Sequence, residues 1–277
     1  MSTTGKRKTA LVTGASSGMG KAIAQRLIKD GYQVYVAARS VDKMDDLARL
    51  GAEPLRMDLS RDDEIVDGVK FILSRTGGVD VLVNNAGFGL YGPVEEIGID
   101  EARYQFEVNL FGAARLTQLL LPAMRARRSG YIVNITSMGG KMYSILGAWY
   151  HATKHALEGW SDCLRLEVAE FGIKVVIVEP GVIETGFGDA ATDSIVKRSA
   201  SGPYGRLVQM VAKSIKKTYG HGTGSDPRVI ADVVSKAVSS RKPRTRYAAG
   251  KFAKMLIRMR VWLGDRMFDR IILSQTR

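Results

Sequence analysis

The 277-residue sequence predicts an α/β fold, a doubly wound parallel sheet of about seven strands with helices on both faces. Two observations predict it. Short β-branched runs alternate with longer helical patterns, the order that a parallel sheet with crossover helices requires. The first run passes directly into a glycine-rich turn that opens a helix, an arrangement that presents main-chain N–H groups to an anion.

In chain order, residues 9–13, 33–38, 53–57, 79–83, 131–135 and 174–178 read as buried strands, and a last strand is expected near 245–248. Helical patterns lie near 18–30, 41–50, 61–75, 100–127 and 149–171. No repeat or low-complexity linker divides the chain, so residues 1–277 are expected to form one domain. Two stretches interrupt the alternation. Residues 184–225, rich in Gly, Ser and Lys, are expected to be a substrate lid, with a helix around 204–219 carrying Leu207, Met210, Val211 and Ile215 on one side. Residues 249–277 read as a basic amphipathic extension, with Phe252, Met255, Leu256, Met259, Trp262 and Leu263 on one face and Lys254 and Arg258 opposite.

Composition narrows the function classes. Hydrophobic content is an ordinary 45%, and no apolar run approaches the roughly 20 residues of a membrane span. Lys6, Arg7 and Lys8 precede an apolar run too short for a secretory signal, and Cys163 is the only cysteine, so a reducing, cytoplasmic setting is expected. Cys163 itself reads as a core residue. Net charge is +13, of which residues 241–277 contribute +9, with eleven Lys/Arg against Asp265 and Asp269. Such asymmetry points to an anionic partner or to a solvated tail. The tail either covers part of a cleft or lies on an anionic membrane surface, and these are not exclusive. A nucleic-acid partner is not expected, because no binding module accompanies the charge.

The turn after the first strand runs Thr13-Gly14-Ala15-Ser16-Ser17-Gly18-Met19-Gly20. Further along come Asp58-Leu59 at the third strand's end and Asn84-Asn85-Ala86-Gly87 after the fourth. Asn109 lies in the long helical pattern, Ser137 follows the fifth strand, and Tyr150-His151-Ala152-Thr153-Lys154 comes thirteen residues later. Pro180-Gly181-Val182 and Thr185 follow the sixth strand. Tyr150 and Lys154 are spaced i,i+4, one turn apart on one helix face. A free tyrosine has a pKa of about 10, and a nearby ammonium is expected to lower it toward the working range.

With these motifs in this order, residues 7–240 resemble the short-chain dehydrogenase/reductase family, whose fold is of the Rossmann type. The resemblance implies a hydride transfer between a nicotinamide cofactor and a carbonyl or alcohol, with Tyr150 as acid/base, Ser137 holding the substrate oxygen, Lys154 gripping the nicotinamide ribose and Asn109 holding a relay water. It also implies cofactor contacts at Gly14, Ser16, Ser17, Gly18, Met19, Gly20, Asp58, Leu59, Asn85, Ala86, Gly87, Tyr150, Lys154, Pro180, Gly181, Val182 and Thr185. NAD enzymes of this fold place an acidic residue at the second strand's end to hold the ribose 2′-hydroxyl. Here Ala37-Ala38-Arg39-Ser40 stands there, so Arg39 is expected to pair with a 2′-phosphate and NADP(H) to be the cofactor. Ser17 departs from the Lys or Arg that many NADP-using relatives carry in the loop.

The segment 241–247 and the tail are similar to members allied with the 17β-hydroxysteroid and retinol dehydrogenases, which implies a steroid, retinoid or acyl-lipid substrate. A small polar ketone or sugar alcohol is the alternative, as is a non-catalytic NADP(H) sensor at a membrane surface. His151 and His155 have a spacing that can bind zinc, but no third ligand is evident and no metal is expected. His221 is expected in a flexible loop. The two long helices are expected to pair between subunits in a homodimer or homotetramer, as they do in the family.

Overall fold

Seven parallel strands form one sheet in the computed structural model, which describes residues 7–220 and 222–274. The strands are β1 (Thr9–Thr13), β2 (Gln33–Ala38), β3 (Glu53–Arg56), β4 (Val81–Asn84), β5 (Gly130–Ile135), β6 (Ile173–Pro180) and β7 (Arg246–Ala249), in the order β3-β2-β1-β4-β5-β6-β7. The order reverses between β1 and β4, so a crevice opens there at the strands' carboxyl ends. His221 lies outside the described residues.

Strand side chains alternate between two faces, and both are buried. On one side Val12, Val36 and Val83 pack with Ile23 and Leu27 of α1 (Gly18–Lys29) and with Ile230 and Val234 of α9 (Arg228–Ser239). On the other, Leu11, Leu82 and Ile132 meet Ile72 of α3 (Asp62–Thr76), Leu116 and Leu120 of α5 (Gly112–Ala126) and Leu164 of α6 (Ala148–Glu167). The sheet is thus sandwiched, which explains why its central strands read as near-continuous apolar runs.

Several helices differ from the sequence expectation. The pattern at 41–50 resolves into a tight turn, Asp42–Met44, and the single-turn α2 (Asp45–Arg49). The pattern at 100–127 is α4 (Ile99–Phe106) and α5 joined by a π turn at Glu107–Phe111, which periodicity does not show. Two helices had not been expected. α7 (Phe187–Ser199) has a weakly amphipathic, Thr- and Ser-containing sequence, and α9 is so rich in valine that it resembles a strand. The helix expected at 204–219 is α8 (Gly205–Tyr219), which packs on α7 through Val208 and Val211. α10 (Ala253–Ser274) is interrupted at Gly264, whose φ of 67° and ψ of 177° suit glycine alone. The single apolar face read from sequence over 252–263 is corrected, since Phe252, Met255, Trp262 and Leu263 are exposed. Leu256 and Met259 turn inward against Met142, while Trp262 is 83% exposed and Phe268 and Ile272 are the buried anchors. Cys163 is also corrected: it lies exposed on α6, because Leu157, Ser161 and Leu164 take that helix's buried face.

Candidate active site

The glycine loop is shaped by close approach. Gly14 has φ +66°, and a Cβ there would lie 2.8 Å from Ala86 Cα; a Cβ on Gly20 would lie 2.3 Å from Gly14 O. Asn85 Nδ2 donates to Thr13 O at 2.9 Å, and Thr13 Oγ1 accepts from the N–H groups of Asn85 and Ala86 at 3.1 and 3.0 Å. Gly14 N–H donates to Ala37 O at the end of β2. The loop is therefore locked between β2 and the residues after β4. Ser16 and Met19 belong to it, and Ser17 starts α1 without a side-chain cap, so its side chain leaves the helix's first N–H groups to a ligand.

The other expected cofactor residues converge on this crevice. Thr185 packs against the loop, since a Cβ on Gly18 would be 3.0 Å from its Cγ2. Gly87 lies beside the catalytic candidates, its notional Cβ 3.0 Å from Asn109 Oδ1 and 3.6 Å from Lys154 Nζ. Pro180 ends β6; Gly181 presses against Lys251 O, and Val182 N–H donates to that oxygen at 2.9 Å. Asp58 sits after β3 with Oδ1 accepting from Ser60 N–H and Oγ–H, while Leu59 is buried against Gly112. Arg39 is exposed at the end of β2, and its Nη1 donates to Tyr104 OH at 3.0 Å. The uncapped helix end and a loop too tight for side chains fit a dinucleotide phosphate.

Ser137 and Tyr150 meet. Ser137 starts a short turn at the end of β5, its Oγ accepting from Gly139 N–H at 3.0 Å, and it lines the same cavity as Tyr150. Lys154 is buried, and Nζ donates to Ile135 O at 3.0 Å. Burial drives its pKa down to about 8, against the opposing pull of Glu158 one turn away. Asn109 sits in the π turn, with Nδ2 donating to Phe88 O and to Thr153 Oγ1 and Oδ1 accepting from Phe88 N–H. Its carboxamide is thus spent on shaping the chain after Gly87.

The expected lowering of the Tyr150 pKa is corrected. Burial pushes the phenol above its ordinary value, and the neighbouring Ser137 hydroxyl offsets only part of this. The Lys154 ammonium is directed at a carbonyl and is itself weakened by burial.

Sequence reasoning missed the surroundings of Tyr150. Tyr91 and Phe187 lie 5.5 and 5.4 Å from its ring, and Tyr219 stacks on Phe187 at 6.0 Å. His151 was read only as a possible ligand. Its Nδ1–H donates to Gly139 O at 2.9 Å and its Nε2 accepts from Ser144 N–H at 3.0 Å, so the ring clamps the segment after Ser137. His155 Nδ1 bonds His151 O. A cavity of about 1020 Å³ opens from Ser137 and Tyr150, walled by Phe187, Val211, Ile215, Met142, Leu256 and Ile272 among others. No regularity of the sequence marks these residues as neighbours.

The short chain dehydrogenase family model matches residues 8–195. A 3-ketodihydrosphingosine reductase of Bacteroides thetaiotaomicron is 34% identical over 263 residues, 94% of each chain, and bovine (Bos taurus) retinol dehydrogenase 8 is 32% identical, covering 86% of this chain and 80% of its own. Among solved structures, a short-chain dehydrogenase from Streptomyces avermitilis superposes with a TM-score of 0.79 at 36% identity, covering 98% and 95% of the two chains. An actinorhodin polyketide ketoreductase with NADPH superposes at 0.74 with 34% identity, over 87% and 94%. A 3-ketoacyl-(acyl-carrier-protein) reductase from Brucella melitensis, 27% identical with a TM-score of 0.71 over 86% and 94%, carries NADH. The chain belongs to the short-chain dehydrogenase family and is an oxidoreductase that uses a nicotinamide cofactor.

Proposed function

We propose that this protein is an NADP(H)-dependent oxidoreductase acting on the carbonyl, or in reverse the primary or secondary alcohol, of a hydrophobic substrate of steroid, retinoid or acyl-lipid kind. The observation that carries the reading is the Ser137–Tyr150 pair opening onto a cavity of about 1020 Å³ with aromatic and aliphatic walls. A small polar substrate would leave most of that wall wet. Arg39, with no carboxylate at the end of β2, supports the phosphate-bearing cofactor.

When bound, NADP(H) supplies the hydride chemistry. Ser137 Oγ, oriented by Gly139 N–H, holds the substrate oxygen, and Tyr150 passes its phenolic proton to that oxygen in reduction or takes it back in oxidation. A phenol kept protonated by burial suits the reductive direction. Lys154 has two N–H bonds beyond the one to Ile135 O, enough to hold a ribose hydroxyl, and Asn109 fixes the Phe88 main chain beside it. Tyr91, Phe187 and Tyr219 exclude water from the phenol.

The test is NADPH oxidation with a panel of long-chain, steroidal and retinoid ketones and aldehydes beside small polar ketones. Turnover of the apolar members, reduced about a thousandfold by Tyr150→Phe as loss of a general acid implies, supports the reading. Turnover of the polar members alone contradicts it.

The exposed Val261, Trp262 and Met267 of α10, next to the exposed Arg258, Arg266 and Arg270, favour peripheral contact with an anionic membrane from the cytoplasmic side. Among the described residues no helix is long and apolar enough to cross a membrane. The exposed Phe111 before α5 and Leu166 on α6 suit pairing with a second copy.

A further inference from the structure

We propose that the substrate is an amphiphile with an anionic head group, and that Lys213, Lys217 and Lys251 form the subsite that receives it at the rim of the cavity. The proposal rests on the reading of that cavity as an apolar substrate site. Lys213 and Lys217 are one turn apart on α8 and line the cavity with Ser214 and Thr218 between and beside them; Lys251 lines it from the segment joining β7 to α10. Among the described residues no Asp or Glu lines the cavity, so the rim holds three positive charges and no lining carboxylate.

The nearby carboxylates are engaged elsewhere. Glu184 accepts from Gly222 N–H, Asp265 pairs with Arg260, and Asp269 accepts from Tyr143 OH. Lys251 is held in place rather than loosely solvated. Its N–H donates to Ser225 Oγ at 3.0 Å, its carbonyl accepts from Val182, and its Nζ donates to Thr223 O at 2.8 Å while lying 5.2 Å from the Phe252 ring centroid. Two of its ammonium protons remain for a ligand. The apolar wall beneath, with Met142, Leu256 and Ile215, is a low-dielectric floor that concentrates the field of the three charges at the rim. A neutral steroid or retinoid leaves these charges unused. A carboxylate, sulfonate or phosphate joined to an apolar chain satisfies both the rim and the wall.

The test is fluorescence titration of the NADP-loaded protein with a monomeric conjugated 18-carbon polyene fatty acid and with its methyl ester, against the triple variant K213Q/K217Q/K251Q. The ester reads the apolar cavity and the acid adds the head group. At low salt the acid is expected to bind about tenfold more tightly than the ester, as three partly exposed charges imply. In the triple variant, or in about 1 M salt where the screening length falls to about 3 Å, acid and ester become equal. The variant's affinity for NADPH and its melting temperature report that it folds. Equal binding of acid and ester to the unaltered protein overturns the head-group subsite and leaves the apolar reading standing. Binding of neither removes the apolar reading and the subsite with it. A triple variant that keeps the acid's advantage but no longer sediments with phosphatidylglycerol-containing vesicles assigns the lysines to a lipid surface and overturns the proposal.

Discussion

Burial acts on three neighbouring titratable side chains with different consequences. Tyr150 is raised, Lys154 is lowered to about 8 and His151 is lowered to about 4. For His151 the sign follows from linkage. Its folded-state pKa lies below the unfolded value of 6.5, so the unfolded chain takes up the proton first, and stability falls as pH drops from 6.5 toward about 4. The full shift corresponds to on the order of 3 kcal/mol. His151→Gln is expected to lower stability at neutral pH but to flatten this slope in melting curves recorded across that range; an unchanged slope assigns the acid sensitivity to other groups. Lys154 gives a second expectation. Its charge is lost as pH rises through about 8 in the free protein, so NADPH affinity falls there, and Lys154→Met removes the dependence. Motifs shared with the family made Tyr150, Lys154, Ser137 and the glycine loop legible in the sequence, though only the Tyr150/Lys154 spacing lies within one element; Lys154 meets Ile135 across elements. The aromatic shell and the His151 clamp were not legible. Tyr91, Phe187 and Tyr219 reach Tyr150 from three separate segments, and burial, which reverses the expected shift of the phenol, is a property of that assembly.

At the scale of elements, the central strands β1, β2, β4, β5 and β6 were readable because both their faces are covered, leaving largely apolar runs. Helices were readable where one face is apolar, and failed where the pattern is weak, as in α7, or composed of valine, as in α9. α10 shows a subtler limit. Its residues were identified as basic and amphipathic, but Val261 and Trp262 before the break at Gly264 stand in solvent, and the buried anchors are Phe268 and Ile272 beyond it. If this helix meets an anionic bilayer, replacing Arg258, Arg266 and Arg270 with Gln weakens sedimentation with phosphatidylglycerol-containing vesicles about a hundredfold or more, at about 1 kcal/mol per charge. Binding that is indifferent to these substitutions contradicts the membrane role.

At the scale of the whole molecule, a buried polar network ties the sheet to its helices beneath the site. Asn84 Nδ2 donates to Asn134 Oδ1 at 2.9 Å, and Asn134 Nδ2 donates to Ser161 Oγ at 2.8 Å, joining β4, β5 and α6. A crevice opens at the β1/β4 reversal, and the apolar cavity that Ser137 and Tyr150 line lies beside the end of β6. The glycine loop after β1 was readable in the sequence, whereas the size and walls of the cavity depend on how α7, α8 and α10 close over it. The central claim is that this crevice takes NADP(H) and that Arg39 selects it. Titrating the purified protein and its Arg39→Ala variant with NADPH and with NADH, by nicotinamide fluorescence, tests this most directly. NADPH is expected to bind at least about tenfold more tightly, as one charge-assisted phosphate contact implies, with the preference abolished in the variant. Equal or tighter binding of NADH to the unaltered protein contradicts it.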